Sequence, residues 1–213
     1  MLVAMTSQTQ GARTRLSRDE SREETRRRLV DSATELFARF GVSDTSLHTV
    51  AEHAGYSRGA FHSNFADKAE LAEAVALSAT STIGPTLDAL LSGPSPSSER
   101  LRDYIRGYLS FCAEHPVQTG ALIAVVGFQS RFDTARFTSR MEESFRGLIG
   151  LFEDGQNRDE MRPFDPWFMA YVLRTTLDAS AARIDAGTLP TSAEETINEV
   201  VDIFDLATRR ETN

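Results

Sequence analysis

The stretch AGYSRGAFHSNF, Ala54 to Phe65, decides the reading of this 213-residue chain. Phe61 and Phe65 stand four apart, so on a helix they share one face. Arg58, Gly59, His62 and Ser63 fall on the other side, and all are polar or small. One side of the segment is built to be buried. The other is free to approach something flat and charged.

The flanking sequence reads as helix. Ser17-Arg-Asp-Glu20 matches a capping box. Leu29, Ala33, Leu36, Phe37 and Phe40 follow at helical spacing and are expected inward, with Gly41 ending that helix. Thr45 or Ser46 caps a second helix carrying Leu47, Val50, Ala51 and Ala54, and Gly55 stops it. Ser57 caps a third, very short helix that contains Phe61 and Phe65. Asp67 opens a fourth, expected to reach about Leu91 with a kink at Gly84-Pro85. Further helices are expected over about 99–114, 117–129, 133–154, 166–185 and 193–209, and no β-alternation of any length occurs. The expected fold class is all-α.

Composition narrows the function classes. The chain is 40% hydrophobic and 25% charged, as in an ordinary globular protein. A single cysteine, Cys112, excludes an intrachain disulfide and a multi-cysteine metal site. No run approaches the roughly 18 apolar residues of a membrane span, and the first residues lack the pattern of a secretion signal. A cytoplasmic location without membrane contact is expected. Net charge is -8, but unevenly spread: residues 1–66 hold nine Arg against eight Asp or Glu. The arm before residue 19 has only basic charges, Arg13, Arg15 and Arg18, and is expected to be a flexible basic arm facing nucleic acid.

Two helices joined through Gly-Tyr-Ser form a helix-turn-helix pattern. Arg58 could hydrogen-bond a guanine edge or a phosphate, and Lys68, at the next helix start, suits a phosphate. The candidate DNA-binding residues are Ser46, Thr49, Tyr56, Ser57, Arg58, Gly59, His62, Ser63, Asn64 and Lys68. Arg26-Arg27-Arg28 reads as solvated surface balanced by Glu23 and Glu24.

Leu29 to Val75 resembles the N-terminal DNA-binding domain of the TetR family of bacterial transcriptional regulators. The resemblance rests on Leu36-Phe37-Ala-Arg-Phe-Gly41, Thr45-Ser46, Ala51-Glu-His-Ala54-Gly55 and the run from Ser57 through Gly59, Phe65 and Lys68 to Leu71. His62 stands where the family usually has a tyrosine. The resemblance implies residues 19–80 as the DNA-binding domain and residues 81–213 as a helical ligand-binding and dimerisation domain. It implies a double-stranded operator with an inverted repeat, a small-molecule effector, and a homodimer through the last two helices. Met169, Val172, Leu173, Leu177 and Ala181, with Ile197, Val200, Val201, Phe204 and Ala207, would form that interface or an intrachain core.

Phe111, Phe128, Trp167 and Tyr171 are the candidate ligand contacts, aromatic side chains such as an apolar pocket needs. Cys112 and His115 stand three apart but read as a buried thiol beside a helix-end histidine, and the pairs Glu142-Glu143 and Glu194-Glu195 as solvated surface. No catalytic, metal or cofactor site is expected. The reading is a ligand-responsive regulator acting as a repressor. The alternatives are a DNA-binding protein without an effector and a helical enzyme with a vestigial helix-turn-helix.

Overall fold

A computed structural model describes residues 17–210. The basic-arm residues Arg13 and Arg15 lie outside the described residues. Among those described the chain is all-helical, with one isolated antiparallel bridge between Met161 and Arg209. The helices are α1 (Arg18–Asp44), α2 (Leu47–His53), α3 (Arg58–His62), α4 (Lys68–Ser81), α5 (Gly84–Ser92), α6 (Ser97–Glu114), α7 (Pro116–Phe132), α8 (Thr134–Asn157), α9 (Pro166–Asp185) and α10 (Ala193–Thr208).

Local chemistry sets most boundaries. Ser17 and Glu20 form a reciprocal capping box, and so do Ser192 and Glu195. Glu195 is thus a capping residue, not merely solvated surface. Ser46, Ser57 and Asp67 each accept a backbone N–H three residues on, closing the starts of α2, α3 and α4. Gly41 and Gly55 take φ of 78°, a left-handed conformation that glycine adopts without Cβ strain. Gly41 therefore breaks α1 internally, and three more residues follow before Thr45. This also corrects Phe40, which is 50% exposed. It stands where the chain turns away from the core, under the Arg39 guanidinium. Gly84-Pro85 splits the expected fourth helix in two, with a 54° bend between α4 and α5.

Two apolar clusters form. One joins α1–α4 through Leu29, Phe37, Val50, Phe61, Phe65 and Leu71. The other joins α5, α6, α8, α9 and α10 through Leu101, Ile105, Leu148, Phe152, Leu173 and Phe204. Helix α7 belongs partly to the first: Ala121 and Val125 are fully buried in it, and Phe128 packs on its edge. The N-terminal unit is therefore not sealed at residue 80, because α7 completes its core.

Leu173, Leu177 and Ala181 on α9, and Ile197, Val200, Val201 and Phe204 on α10, are buried inside the single chain. Met169 and Val172 are half-buried and pack against the same cluster. Most of the expected interface stripe is thus intrachain core. A different apolar set faces out: Trp167, Phe168 and Tyr171 on α9, Ile203 and Leu206 on α10.

Candidate nucleic-acid interface and internal cavity

Phe61 and Phe65 are 0% and 1% exposed, with ring centroids 5.7 Å apart. They pin α3 to the N-terminal core. The opposite face carries Ser57, Arg58, Gly59, His62 and Ser63, all exposed. Arg58 has no ion-pair or hydrogen-bond partner among the described residues. A Cβ on Gly59 would meet only Ser57 Oγ at 3.8 Å, so the surface there is open. The His62 ring rests edge-on against Phe61, which fixes its base while leaving it exposed. Ser46 and Thr49 are exposed on α2 and bond to each other through their hydroxyls at 2.7 Å.

Three residues of the sequence-derived set make contacts within the chain. Lys68 Nζ donates to the Val42 and Ser43 carbonyls at 3.0 and 2.9 Å, tying α4 to the end of α1. Partial burial pushes its pKa down, against the opposing pull of Asp44. Asn64 is half-buried: Nδ2 donates to Ala60 O at 2.8 Å, and its own carbonyl accepts from Arg26 at 2.7 Å. Tyr56 is half-buried against the N-terminal core and covers the turn. Arg26 is also corrected. It crosses from α1 to the Asn64 carbonyl, pairs with Glu70 and lies 4.1 Å over the Phe65 ring. Only Arg27 and Arg28 stay on the helix surface, paired with Glu24.

Between the ends of α4, α5, α6, α7, α8 and α9 lies a cavity of about 730 Å³. Leu77, Leu87, Phe111, Leu122 and Val126 supply apolar walls. Of the four expected aromatic contacts only Phe111 lines it. Phe128 is on the other face of α7, against the N-terminal core. Trp167 and Tyr171 stack on each other at the surface, 54% and 42% exposed. Tyr171 borders a separate shallow groove along α9 with Val172, Thr175 and Ala179.

The cavity also holds a polar network that the sequence reading missed. Arg174 Nη2 donates to Tyr108 Oη at 3.0 Å, and Nε to Asp178 Oδ2 at 3.2 Å. Tyr108 Oη in turn donates to Asp178 Oδ1 at 2.9 Å. Burial pushes the Tyr108 phenol well up, and it stays a neutral donor. Burial opposes the Arg174 charge, but the paired Asp178 carboxylate and the accepting Tyr108 oxygen offset it, so the guanidinium remains protonated. The available signal was two i,i+4 pairs, Tyr104/Tyr108 and Arg174/Asp178, each set in an apolar helical stripe.

A second polar node lies beside it. Arg140, which lines the cavity from α8, donates to Glu73 on α4 at 2.8 Å and to Gln129 on α7 at 3.2 Å. Gln129 is 1% exposed and itself donates to Glu73 at 2.8 Å. Cys112 is buried and its thiol pKa raised by burial, the reverse of an activated nucleophile. His115 caps α6, its ring against Phe111 at 4.4 Å.

A short recognition-type helix with a bare polar face, set on a helical body with an internal cavity, defines a helix-turn-helix regulator fold. Residues 29–75 match the family model described as bacterial regulatory proteins, tetR family. The HTH-type transcriptional regulator SrpR of Pseudomonas putida is 47% identical over 53 residues, 25% of this chain and 25% of that protein. The matched segment thus spans only about a quarter of that relative's length. A TetR transcriptional regulator from Chloroflexus aurantiacus has the same fold, with TM-score 0.73 and 21% identity over 90% of this chain and 99% of that one. A protein from Saccharomonospora viridis, solved in complex with choline, superposes with TM-score 0.72 and 19% identity over 89% and 100%. Residues 29–75 are thus similar to the DNA-binding domain of the TetR family, and the chain as a whole has the fold of these solved structures.

Proposed function

We propose that the chain is a cytoplasmic, dimeric transcriptional repressor that leaves an inverted-repeat operator when a small molecule fills the cavity. The observation that carries DNA binding is the exposed Arg58-Gly59-His62-Ser63 face of α3, fixed from behind by fully buried Phe61 and Phe65. Arg58, Gly59, His62 and Ser63 would meet bases and backbone in the major groove, with Ser46, Thr49 and Ser57 against phosphates. Residues 19–80 would form the DNA-binding unit, and the rest the sensing and dimerisation unit. One recognition helix covers few base pairs, so two protomers reading a palindrome follow from geometry. The outward apolar set Phe168, Tyr171, Ile203 and Leu206 supplies a dimer face distinct from the buried stripe.

Helix α7 supports a coupling route. Thr119, Ile123 and Val126 face the cavity, while Ala121, Val125 and Phe128 complete the DNA-binding core. The Glu73–Arg140–Gln129 node joins α4, α7 and α8 at the same wall. A ligand that favours one packing of α4 on α7 would shift the spacing of the two recognition helices. The choline complex of the Saccharomonospora viridis protein supports a sensing role for the helical body of this fold.

The test is selection of bound genomic fragments at about 150 mM salt, followed by footprinting. Protection of an inverted repeat is expected. A folded protein that protects no sequence specifically would overturn the reading.

A further inference from the structure

The charges around the cavity do not cancel. Five charged side chains line it: Asp88, Asp178 and Glu143, against Arg140 and Arg174. Arg174 is committed to Asp178, and Arg140 to Glu73. Asp88 and Glu143 are left. Neither carboxylate has an ion-pair or hydrogen-bond partner among the described residues, and both are exposed at the cavity's edge. They sit on neighbouring helices. Leu91 of α5 packs so tightly on α8 that a Cβ at Gly147 would fall 2.7 Å from its Cδ1. Asp88 lies one turn before Leu91, and Glu143 one turn before Gly147.

Deeper in, Tyr104 lines the same space, 3% exposed. Its hydroxyl lies beside Arg174, and burial pushes its pKa up, so it stays a neutral phenol. An electron-rich phenol and two unpaired carboxylates therefore border a space whose other charged side chains are paired.

We propose that the cavity takes a hydrophobic organic cation. Its apolar body would lie against Leu77, Leu87 and Phe111, and its charge would sit between Asp88 and Glu143 within reach of Tyr104. An anion of the same shape meets two uncompensated negative charges and no free cation, since both arginines are spent. A cavity of this volume suits a drug-sized molecule. The ligand class rests on the regulator reading only in treating the cavity as a sensing site.

The test uses two probes of matched shape and opposite charge, tetraphenylphosphonium and tetraphenylborate, titrated calorimetrically into the full chain at about 150 mM salt. The phosphonium is expected to bind about thirtyfold more tightly, each carboxylate helping the cation and opposing the anion by a rim-exposed amount. The double variant Asp88→Asn, Glu143→Gln should lose about fivefold in phosphonium affinity at unchanged thermal stability, since neither side chain holds another. Tighter borate binding, failure of both probes, or phosphonium affinity indifferent to the double variant would overturn the proposal. Operator binding is measured in parallel. DNA binding without phosphonium binding sinks the ligand class alone, and the reverse outcome sinks the regulator reading alone.

Discussion

Lys68 separates a structural role from a DNA contact. Its ammonium gives two charge-assisted hydrogen bonds, 3.0 Å to Val42 O and 2.9 Å to Ser43 O, closing the end of α1 after Gly41. Such bonds contribute about 1.5–3 kcal/mol each when buried. Lys68 is only partly buried, so solvent screening reduces each to about 1 kcal/mol. Lys68→Ala is therefore expected to cost about 2 kcal/mol. For a chain of this size that lowers the melting temperature by about 4–8 °C. A side chain whose main contact is a phosphate behaves otherwise: its loss leaves stability alone and flattens the salt dependence of DNA affinity by about one unit per protomer. The assay pairs a thermal melt with DNA titrations across a salt series. The structure predicts a lowered melt and an unaltered slope. An unaltered melt with a flattened slope would refute the reasoning and restore Lys68 to the DNA interface.

Phe61→Ala empties a fully buried site under α3 and should cost about 3–5 kcal/mol, read by urea unfolding, with loss of DNA binding as a consequence. Asp205 accepts from Arg209 and Arg102, and the Arg209 bond above all holds its pKa below the usual carboxylate value. Its folded pKa is lowered, so its contribution to stability is present above about pH 4 and is lost as pH falls through the folded value. Asp205→Asn should accordingly flatten the acid limb of a stability–pH profile below about pH 4. Ile203→Glu with Leu206→Glu places charges on the outward face of α10 and should yield a folded monomer by light scattering, with a melt no lower than a dimer-to-monomer change requires.

Local signals in the sequence carried the helix boundaries. Ser17, Ser46, Ser57, Asp67 and Ser192 each act on a backbone group three residues away, so their roles are written within one turn. Phe61 and Phe65 were equally legible, because spacing alone fixes a shared face. Lys68 and Arg26 were not: their partners lie more than twenty residues off, and only the packing of α1 on α3 and α4 brings them together. The aromatic residues misled for the opposite reason. Trp167, Tyr171 and Phe128 are apolar enough for a pocket wall, but the face of the helix decides which surface receives them, and α7 and α9 each have more than one apolar face. The cavity is assembled from six helices, so no window of sequence displays Tyr104, Tyr108, Arg174 and Asp178 as a group.

The central claim is that the exposed face of α3 meets DNA. Its most direct test is the affinity of the Arg58→Ala, His62→Ala double variant for a fragment selected by the unaltered protein, beside a thermal melt of both. Neither residue contributes to the core, so the melt should not move, while affinity should fall at least tenfold, a base contact alone being worth about 1–3 kcal/mol. Unchanged affinity in a folded double variant would contradict the account.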